Sequence, residues 1–248
     1  MKPFHTFLFV LATACLLGFG LNPFLRQTVA ETLATVSYVV ADSYPHPDLL
    51  PSQDWWITKV KAQAVQNQGQ QYSACLFGDS ISSGLKNSLA PKIVNFAMGG
   101  LSSVSLATQL KYLNGAGVRC QKAIIAIGTN DAWYVTSNET VIAKLTESLS
   151  LVRAMGANSI VMIPAFYSTL PASHDPKLAA PIERVDEING LIQQVAQSED
   201  VELLTTDLKP LYENHALKSG LTYDGVHLNE QGNQIYRQVL LSTLNLMP

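Results

Sequence analysis

From Tyr72 to the C-terminus, short apolar runs rich in branched residues alternate with longer segments in which apolar residues recur at helical spacing. This alternation is typical of βαβ units and predicts a parallel sheet with helices on both faces. Strands are predicted at Ser73–Phe77, Lys92–Ala97, Lys122–Ile127, Ser159–Phe166 and Val201–Thr205. Helices are predicted at Val104–Asn114, Asn138–Met155, Pro181–Gln197 and Glu230–Leu244. The expected fold class is therefore α/β, a three-layer α/β/α sandwich around a five-stranded parallel sheet.

The N-terminal residues have the pattern of an export signal. Lys2 is followed by an uncharged stretch, residues 3–25, with a dense apolar centre at Phe7–Leu21. This is the pattern of a secretory signal peptide, and small residues up to Ala30 would allow cleavage there. The stretch is also long enough for an uncleaved membrane anchor, which needs roughly 20 residues. Both interpretations of residues 1–30 place the rest of the chain outside the cytoplasm, in the periplasm or secreted.

Residues 31–71 are predicted to form an extension or linker ahead of a domain at residues 72–248. Prolines at positions 45, 47 and 51 would break any helix in the first part of this extension. A single helix is predicted from Asp54 to Gln68, and we expect its two tryptophans, Trp55 and Trp56, to pack on the domain.

The balance of charged residues in the sequence limits the classes of molecule that this chain is expected to bind. The chain has 16 lysines and arginines against 19 acidic residues, and no basic run could follow a phosphate backbone. We therefore expect no nucleic acid partner, and contact with a membrane only through the N-terminal segment. An apolar fraction of 47% with 14% charged residues is that of a globular domain. Oligomeric state is left open by the composition.

Two cysteines lie outside the export segment, Cys75 and Cys120. Counted back from the loops that end their strands, they are offset by about 15 Å along neighbouring strands. A disulfide needs Cα atoms closer than about 7 Å, so two free thiols are predicted. Neither cysteine has the spacing of a metal site, and no metal or cofactor is expected.

Polar residues follow three of the predicted strands and precede the last helix. In open α/β sheets ligands bind at the carboxyl ends of the strands, so these residues would meet at one edge of the sheet. Each group alone is a common turn composition. The four groups are Gly78-Asp79-Ser80, Met98-Gly99-Gly100, Gly128-Thr129-Asn130-Asp131 and Asp224-Gly225-Val226-His227.

These four blocks, in this order, resemble those of the SGNH hydrolases, also called the GDSL family of esterases and lipases. The resemblance covers Tyr72 to the C-terminus and implies a flavodoxin-like sheet. It also implies a catalytic triad of Ser80, Asp224 and His227. The oxyanion hole would be formed by the backbone N–H groups of Ser80 and Gly100 and by the side-chain amide of Asn130.

The residue types fit this chemistry without the family. A serine hydroxyl needs a base to take its proton, and histidine is suitable because its ordinary pKa is near neutrality. A carboxylate on the other imidazole nitrogen holds the tautomer. His46, His174 and His215 have no carboxylate three residues before them, and each is interpreted as a solvated loop residue.

Six further residues lie near the predicted site. Asp79 is interpreted as a structural residue that holds the Ser80 loop, and Asp131 could equally be a loop brace. Four aromatic residues stand just past the third and fourth strands, where they could equally line a substrate pocket or pack in the core. They are Trp133, Tyr134, Phe166 and Tyr167.

The predicted function is that of an exported serine esterase or lipase acting on small-molecule or polysaccharide esters. A variant uses the same residues to transfer an acyl group to, or remove an acetyl group from, an envelope polysaccharide. A flavin- or nucleotide-binding protein is disfavoured because Leu85 stands where a phosphate-binding loop needs lysine. A non-catalytic, glycan-binding envelope protein is disfavoured because every residue of the catalytic set is present. Acyl length and the alcohol of the substrate are left open.

Overall fold

The computed structural model describes residues 47–86, 89–204 and 207–244. The predicted signal peptide or anchor, residues 1–30, lies outside the described residues. Within the described ranges, no helix combines the length and the apolar character needed to cross a bilayer.

The centre of the domain is a five-stranded sheet in the order β2-β1-β3-β4-β5, with every neighbouring pair parallel. The predicted α/β fold class is thereby confirmed. The chain adds β2 on one side of β1 and then crosses to add β3 on the other side. Ligands bind at such a switch point, where two loops diverge. The strands are β1 (Gln71–Gly78), β2 (Ile93–Asn95), β3 (Arg119–Ala126), β4 (Ser159–Ile163) and β5 (Glu202–Leu203).

Helices cover both faces of the sheet. Gly156, with φ of +92°, follows the end of α5, and the side chain of Asn229 caps α8 by accepting from the N–H of Gly232. The helices are α1 (Asp54–Gln66), α2 (Ser80–Ser83), α3 (Ser103–Gly115), α4 (Thr129–Trp133), α5 (Asn138–Ala154), α6 (Leu170–Ser173), α7 (Ile182–Ser198) and α8 (Glu230–Thr243). A small antiparallel hairpin, β6 (Tyr212–Glu213) and β7 (Ala216–Leu217), lies between β5 and α8.

The sheet separates two apolar cores, because successive side chains of a strand point to opposite faces. In β3, Ile125 belongs to the core with α3, α5 and α7, whereas Ile124 belongs to the core with α8. Both side chains are 1% exposed, and burying an isoleucine fully contributes about 1.5–3 kcal/mol. Packing on both faces thus fixes the strand ends that carry the polar loops.

Helix α1 lies where the sequence predicts a helix and packs on the first core through Trp56, Val60 and Ala64. Trp56 is fully buried as expected, but Trp55 is 58% exposed, and the prediction that it packs on the domain is wrong. Neighbouring residues on a helix point about 100° apart, so only one of the two tryptophans can face the core.

The two cysteines form a disulfide, and the prediction of free thiols is wrong. Cys75 and Cys120 are joined with their Cα atoms 5.8 Å apart. The strand register pairs Cys120 with Tyr72, so the cysteines are offset by three residues rather than five. Both are also buried in the same apolar core. Counting from the loops overestimated the offset by two residues, because β3 ends one residue earlier than predicted, at Ala126, and β1 ends one residue later, at Gly78.

Candidate active site

Ser80 begins α2 directly after β1, in a turn built from two specialised residues. A Cβ at Gly78 would lie 2.5 Å from the Cβ of Ser82, so only glycine fits there. Asp79 caps the helix by accepting from the N–H of Ile81 at 2.9 Å. Burial raises the pKa of Asp79 to about 6, against the opposing effect of this hydrogen bond. The interpretation of Asp79 as the residue that holds the Ser80 loop agrees with this geometry.

Asp224 and His227 are delivered together by the loop before α8. One oxygen of Asp224, Oδ1, accepts from the backbone N–H groups of Val226 at 2.9 Å and His227 at 2.7 Å. The other oxygen, Oδ2, is 2.6 Å from Nδ1 of the His227 ring. Partial burial raises the pKa of Asp224, but the hydrogen bonds from His227 and Val226 outweigh it and hold the pKa below its ordinary value. Asp224 is therefore ionised at neutral pH.

Thr222 and Gly225 determine the conformation of the loop that carries Asp224 and His227. The Thr222 hydroxyl accepts from the N–H of Gly225 at 2.9 Å and donates to the carbonyl of His227 at 2.6 Å. Gly225 has φ of +91°, and a Cβ there would lie 2.8 Å from the Cβ of Ala172. Both constraints favour glycine between the carboxylate and the imidazole.

The imidazole of His227 joins Asp224 to Ser80. Its Nε2 lies 2.9 Å from Oγ of Ser80. A carboxylate can only accept, so Nδ1 must donate to Asp224, which leaves Nε2 as the acceptor for the Ser80 hydroxyl. The structure thus brings Ser80 together with Asp224 and His227, which lie far from it in the chain, in the arrangement that lets a base withdraw a serine proton.

Gly100 and Asn130 lie on the loops next to Ser80. A Cβ on the neighbouring Gly99 would lie 4.0 Å from the Cβ of Ser80. Gly100 has φ of +79°, and its carbonyl accepts from the hydroxyl of Tyr134 at 3.0 Å. Asn130, in α4, donates one amide hydrogen to the carbonyl of Leu101 at 2.9 Å. The second hydrogen of this amide is left for a ligand.

A cavity of about 220 Å³ opens beside Ser80. Apolar side chains form most of its wall, and the polar groups of the predicted site also line it. Ser168 is an unpredicted member, and its buried hydroxyl has no hydrogen-bond partner among the described residues. The lining residues are Ser80, Gly100, Thr129, Asn130, Trp133, Phe166, Ser168, Leu178, Ala179, Ala180, Val185, Val226 and His227.

The four predicted aromatic pocket residues divide into two pairs. Trp133 and Phe166 line the cavity beside Ser80. Tyr134 lies behind Gly100, to whose carbonyl its hydroxyl donates. Tyr167 lines a different cavity, where its hydroxyl donates to Asp186 at 2.6 Å. Neither tyrosine lines the cavity beside Ser80, and Tyr134 is buried, which agrees with core packing, one of the two alternatives that the sequence leaves open.

Two carboxylates, one buried and one partly buried, brace the loop that carries Gly100. Asp131, fully buried, accepts from the N–H of Ser103 at 2.8 Å and from its hydroxyl at 2.6 Å. Burial raises the pKa of Asp131 to about 6, although the bonds from Ser103 oppose the shift. Asp48, which the sequence did not single out, accepts from the hydroxyl of Ser102 at 2.5 Å. Both hold the start of α3, directly after Gly100.

Within the described ranges, no group of three or more histidine, cysteine, aspartate or glutamate side chains could hold a metal ion. The chemistry that this arrangement can perform is that of a serine nucleophile with an imidazole base.

Comparison with known proteins gives a family and a fold. The model of the GDSL-like Lipase/Acylhydrolase family matches residues 76–235, more than half of the chain. No curated protein sequence matches the chain.

Several solved hydrolase structures have a similar fold. A GDSL-like lipase from Bacteroides thetaiotaomicron has a TM-score of 0.58 at 16% identity, with 77% of this chain and 95% of that chain covered. A lipase/acylhydrolase from Enterococcus faecalis has a TM-score of 0.54 at 19% identity, with 70% and 95% covered. A catalytic mutant of an acetylxylan esterase from Geobacillus stearothermophilus has a TM-score of 0.54 at 16% identity, with 73% and 96% covered.

Proposed function

Because the chain belongs to the GDSL-like lipase/acylhydrolase family, we propose that it is an exported serine esterase that hydrolyses short acyl esters through an acyl-Ser80 intermediate. The observation that carries the proposal is the line of hydrogen bonds from Asp224 through His227 to Ser80, with distances of 2.6 and 2.9 Å, at the mouth of a cavity.

The first step is attack by Oγ of Ser80 on the ester carbonyl carbon. Nε2 of His227 takes the hydroxyl proton as the new C–O bond forms, and the carboxylate of Asp224 stabilises the resulting imidazolium. The tetrahedral intermediate then collapses. The imidazolium returns the proton to the departing alcohol, and the acyl group remains on Ser80.

Negative charge develops on the carbonyl oxygen during this attack. The backbone N–H groups of Ser80 and Gly100 and the free amide hydrogen of Asn130 would donate to it. Donors fixed in advance act strongly in a site from which water is largely excluded, and removing one commonly costs about 100-fold or more in rate.

The second step releases the acid. A water molecule enters beside the acyl-enzyme, His227 removes its proton, and the hydroxide attacks the acyl carbonyl. Ser80 leaves and recovers its proton from the imidazolium. If a sugar hydroxyl took the place of water, the same residues would transfer the acyl group instead, so the acyl acceptor is the step that an assay must define.

The size of the cavity supports a short acyl group. At about 220 Å³ it is smaller than the roughly 300–1,000 Å³ of most small-molecule sites. Its wall on the side of Trp133, Phe166 and Val185 is apolar and suits an alkyl chain of few carbons.

Export is supported by two features of different kinds. The uncharged stretch at residues 3–25 has the pattern of a signal peptide or anchor. The Cys75–Cys120 disulfide is typical of proteins that fold in an oxidising compartment.

The proposal is tested with p-nitrophenyl esters of increasing acyl length. We expect the purified protein to cleave the acetyl and butyryl esters and to lose rate on longer chains. Ser80→Ala and His227→Ala should be inactive, whereas the exposed controls Ser219→Ala and His174→Ala should retain full activity. A fluorophosphonate should label Ser80, as mapped by mass spectrometry. Activity that survives in Ser80→Ala, or a label on another residue, would refute the mechanism.

A further inference from the structure

We infer that a second cavity, next to the one beside Ser80, binds a neutral glycosyl unit in the alcohol part of the ester. This inference rests on the proposed esterase function and extends it by assigning a class of alcohol. The cavity measures about 600 Å³, within the usual range for ligand sites. None of the residues proposed for catalysis lines it.

The second cavity adjoins the first along two stretches of chain. After β4, Phe166 lines the cavity beside Ser80 and the next residue, Tyr167, lines the second cavity. On α7, Val185 lines the first cavity and Asp186 the second. A substrate long enough to pass this shared wall could occupy both cavities at once.

A glycine in the middle of α7 keeps the second cavity open. Gly190 lines it, and a Cβ at this position would have no atom within 4 Å. Glycine in a helix interior is unfavourable, and here no close packing and no positive φ requires it. Asp186 lies one turn before Gly190 on the same face, and Gln193 almost one turn after it. The helix thus presents a carboxylate and an amide to the cavity on either side of a gap.

Two polar side chains of the second cavity, Tyr167 and His215, contact the carboxylate of Asp186. The hydroxyl of Tyr167 donates to its Oδ1 at 2.6 Å, and Nε2 of His215 lies 2.7 Å from the same oxygen. Among the described residues, the second oxygen accepts from neither group and is available to a ligand. The rings of Tyr167 and His215 meet at 48° with centroids 4.6 Å apart, and they form an aromatic corner beside the carboxylate.

This composition favours a neutral polyhydroxylated ligand. Aromatic faces pack on the C–H groups of a sugar ring, while carboxylate and amide groups bind its hydroxyls. Two carboxylates, Asp186 and Glu213, lie at the cavity with a single lysine, Lys209, so an anionic ligand would meet repulsion. A purely apolar ligand would remove water from Asp186 without replacing its hydrogen bonds, which is costly.

The contacts of Asp186 could instead serve only to hold the β6–β7 hairpin against α7. A structural role and a binding role differ in what they change. Loss of a contact that only holds the hairpin would lower the hydrolysis of every ester alike. Loss of a sugar site would lower the hydrolysis of sugar esters alone, by raising KM.

The test fills the cavity without touching the catalytic residues. Gly190→Leu adds a side chain at the open position, and Gln197→Leu adds the same side chain two turns further along α7, outside the cavity. The probes are partially O-acetylated trisaccharides of glucose, xylose and N-acetylglucosamine, with p-nitrophenyl acetate as reference. We expect Gly190→Leu to lose at least tenfold in kcat/KM on one or more of the trisaccharides, through KM, and less than twofold on the reference. Gln197→Leu should change neither. Equal losses on all esters, or none, would overturn the inference.

A binding measurement separates this inference from the esterase proposal. Ser80→Ala protein is titrated with the unacetylated trisaccharides and followed by saturation-transfer NMR. Sugar binding that is seen with Ser80→Ala and is lost in the double variant Ser80→Ala/Gly190→Leu supports the sugar site, even if no ester is cleaved. Binding unaffected by Gly190→Leu, or no binding of any of the three sugars, overturns it. Failure of p-nitrophenyl acetate hydrolysis and of fluorophosphonate labelling would instead count against the proposed function.

Discussion

Asp48 accepts a hydrogen bond from the hydroxyl of Ser102 at 2.5 Å and thereby ties a residue of the N-terminal extension to the start of α3. The same carboxylate accepts from the backbone N–H groups of Ser105 and Leu50. Because Ser102 lies two residues after Gly100, the extension takes part in holding a proposed oxyanion donor.

Asp48→Ala should therefore lower activity and stability together. The variant loses charge-assisted hydrogen bonds, which contribute about 1.5–3 kcal/mol each, and it leaves the hydroxyl of buried Ser102 without its acceptor. We expect kcat on p-nitrophenyl acetate to fall several-fold and Tm to fall by several degrees. Asp54→Ala, at the exposed first turn of α1, is the matched control and should be close to wild type. Wild-type kcat in Asp48→Ala would show that the extension does not position the Gly100 loop.

The contribution of Asp48 illustrates what sequence patterns cannot show. The five strands, the main helices and the residues at the strand ends could be predicted because they follow from periodicity and from the topology of parallel sheets. Asp48 is one polar residue between prolines, and its partner lies 54 residues away. Nothing local marks such a contact.

Side-chain direction and strand register account for the other errors. Trp55 was misplaced because neighbouring residues of a helix point about 100° apart, so only one of the two tryptophans can face the core. The disulfide was missed because two predicted strand ends were each in error by one residue and the register was unknown. The pairing of His215 with Asp186 is equally distant in sequence, and only the structure brings these residues together.

The proposed base depends on Asp224 for its tautomer. In Asp224→Asn the side-chain amide can donate to Nδ1, which would leave Nε2 protonated and unable to accept from Ser80. We expect kcat to fall by about 10⁴-fold with little change in KM or in the circular dichroism spectrum. Asp200→Asn, on an exposed turn with φ of +52° that asparagine tolerates, should retain wild-type kcat. A loss below tenfold in Asp224→Asn would remove Asp224 from the mechanism.

Asn130 is expected to act on the transition state rather than on substrate binding. Asn130→Ala removes the amide hydrogen that faces the cavity and should lower kcat about 100-fold while KM stays within a few-fold. The hydrogen bond to Leu101 is lost as well, so loop position must be checked. Asn138→Ala, at the partly buried start of α5, is the control for loss of an asparagine amide that also makes hydrogen bonds. An increase in KM alone, with kcat unchanged, would argue for ground-state binding instead.

The disulfide is expected to matter for stability and not for chemistry. Cys75, in the middle of β1, and Cys120, near the start of β3, close a loop of 45 residues, and neither lines the cavity beside Ser80. Removing a native disulfide typically costs about 2–5 kcal/mol. The double variant Cys75→Ala/Cys120→Ala should unfold at lower urea concentration than the wild type, while kcat at 25 °C stays within twofold. Wild-type protein treated with dithiothreitol should shift toward the variant, and an unchanged midpoint in both would contradict the prediction.

The buried carboxyl of Asp131 makes the free energy of unfolding depend on pH. Its pKa is raised by burial from 3.8 to about 6, so between these values the folded protein binds a proton that the unfolded chain has released. The free energy of unfolding contributed by this group is then fully present below pH 3.8 and is lost as the pH rises through about 6. A shift of about two units corresponds to a loss on the order of 3 kcal/mol.

Asp131→Asn lacks this titration and tests the prediction. The free energy of unfolding in urea of the wild type, relative to that of the variant, should decline from pH 4.5 to pH 6.5 and then level off. Asp200→Asn, at an exposed position, is the control for an aspartate-to-asparagine change outside the core. A flat difference for Asp131→Asn would mean that the buried carboxylate keeps its ordinary pKa, and that the hydrogen bonds from Ser103 fully compensate its burial.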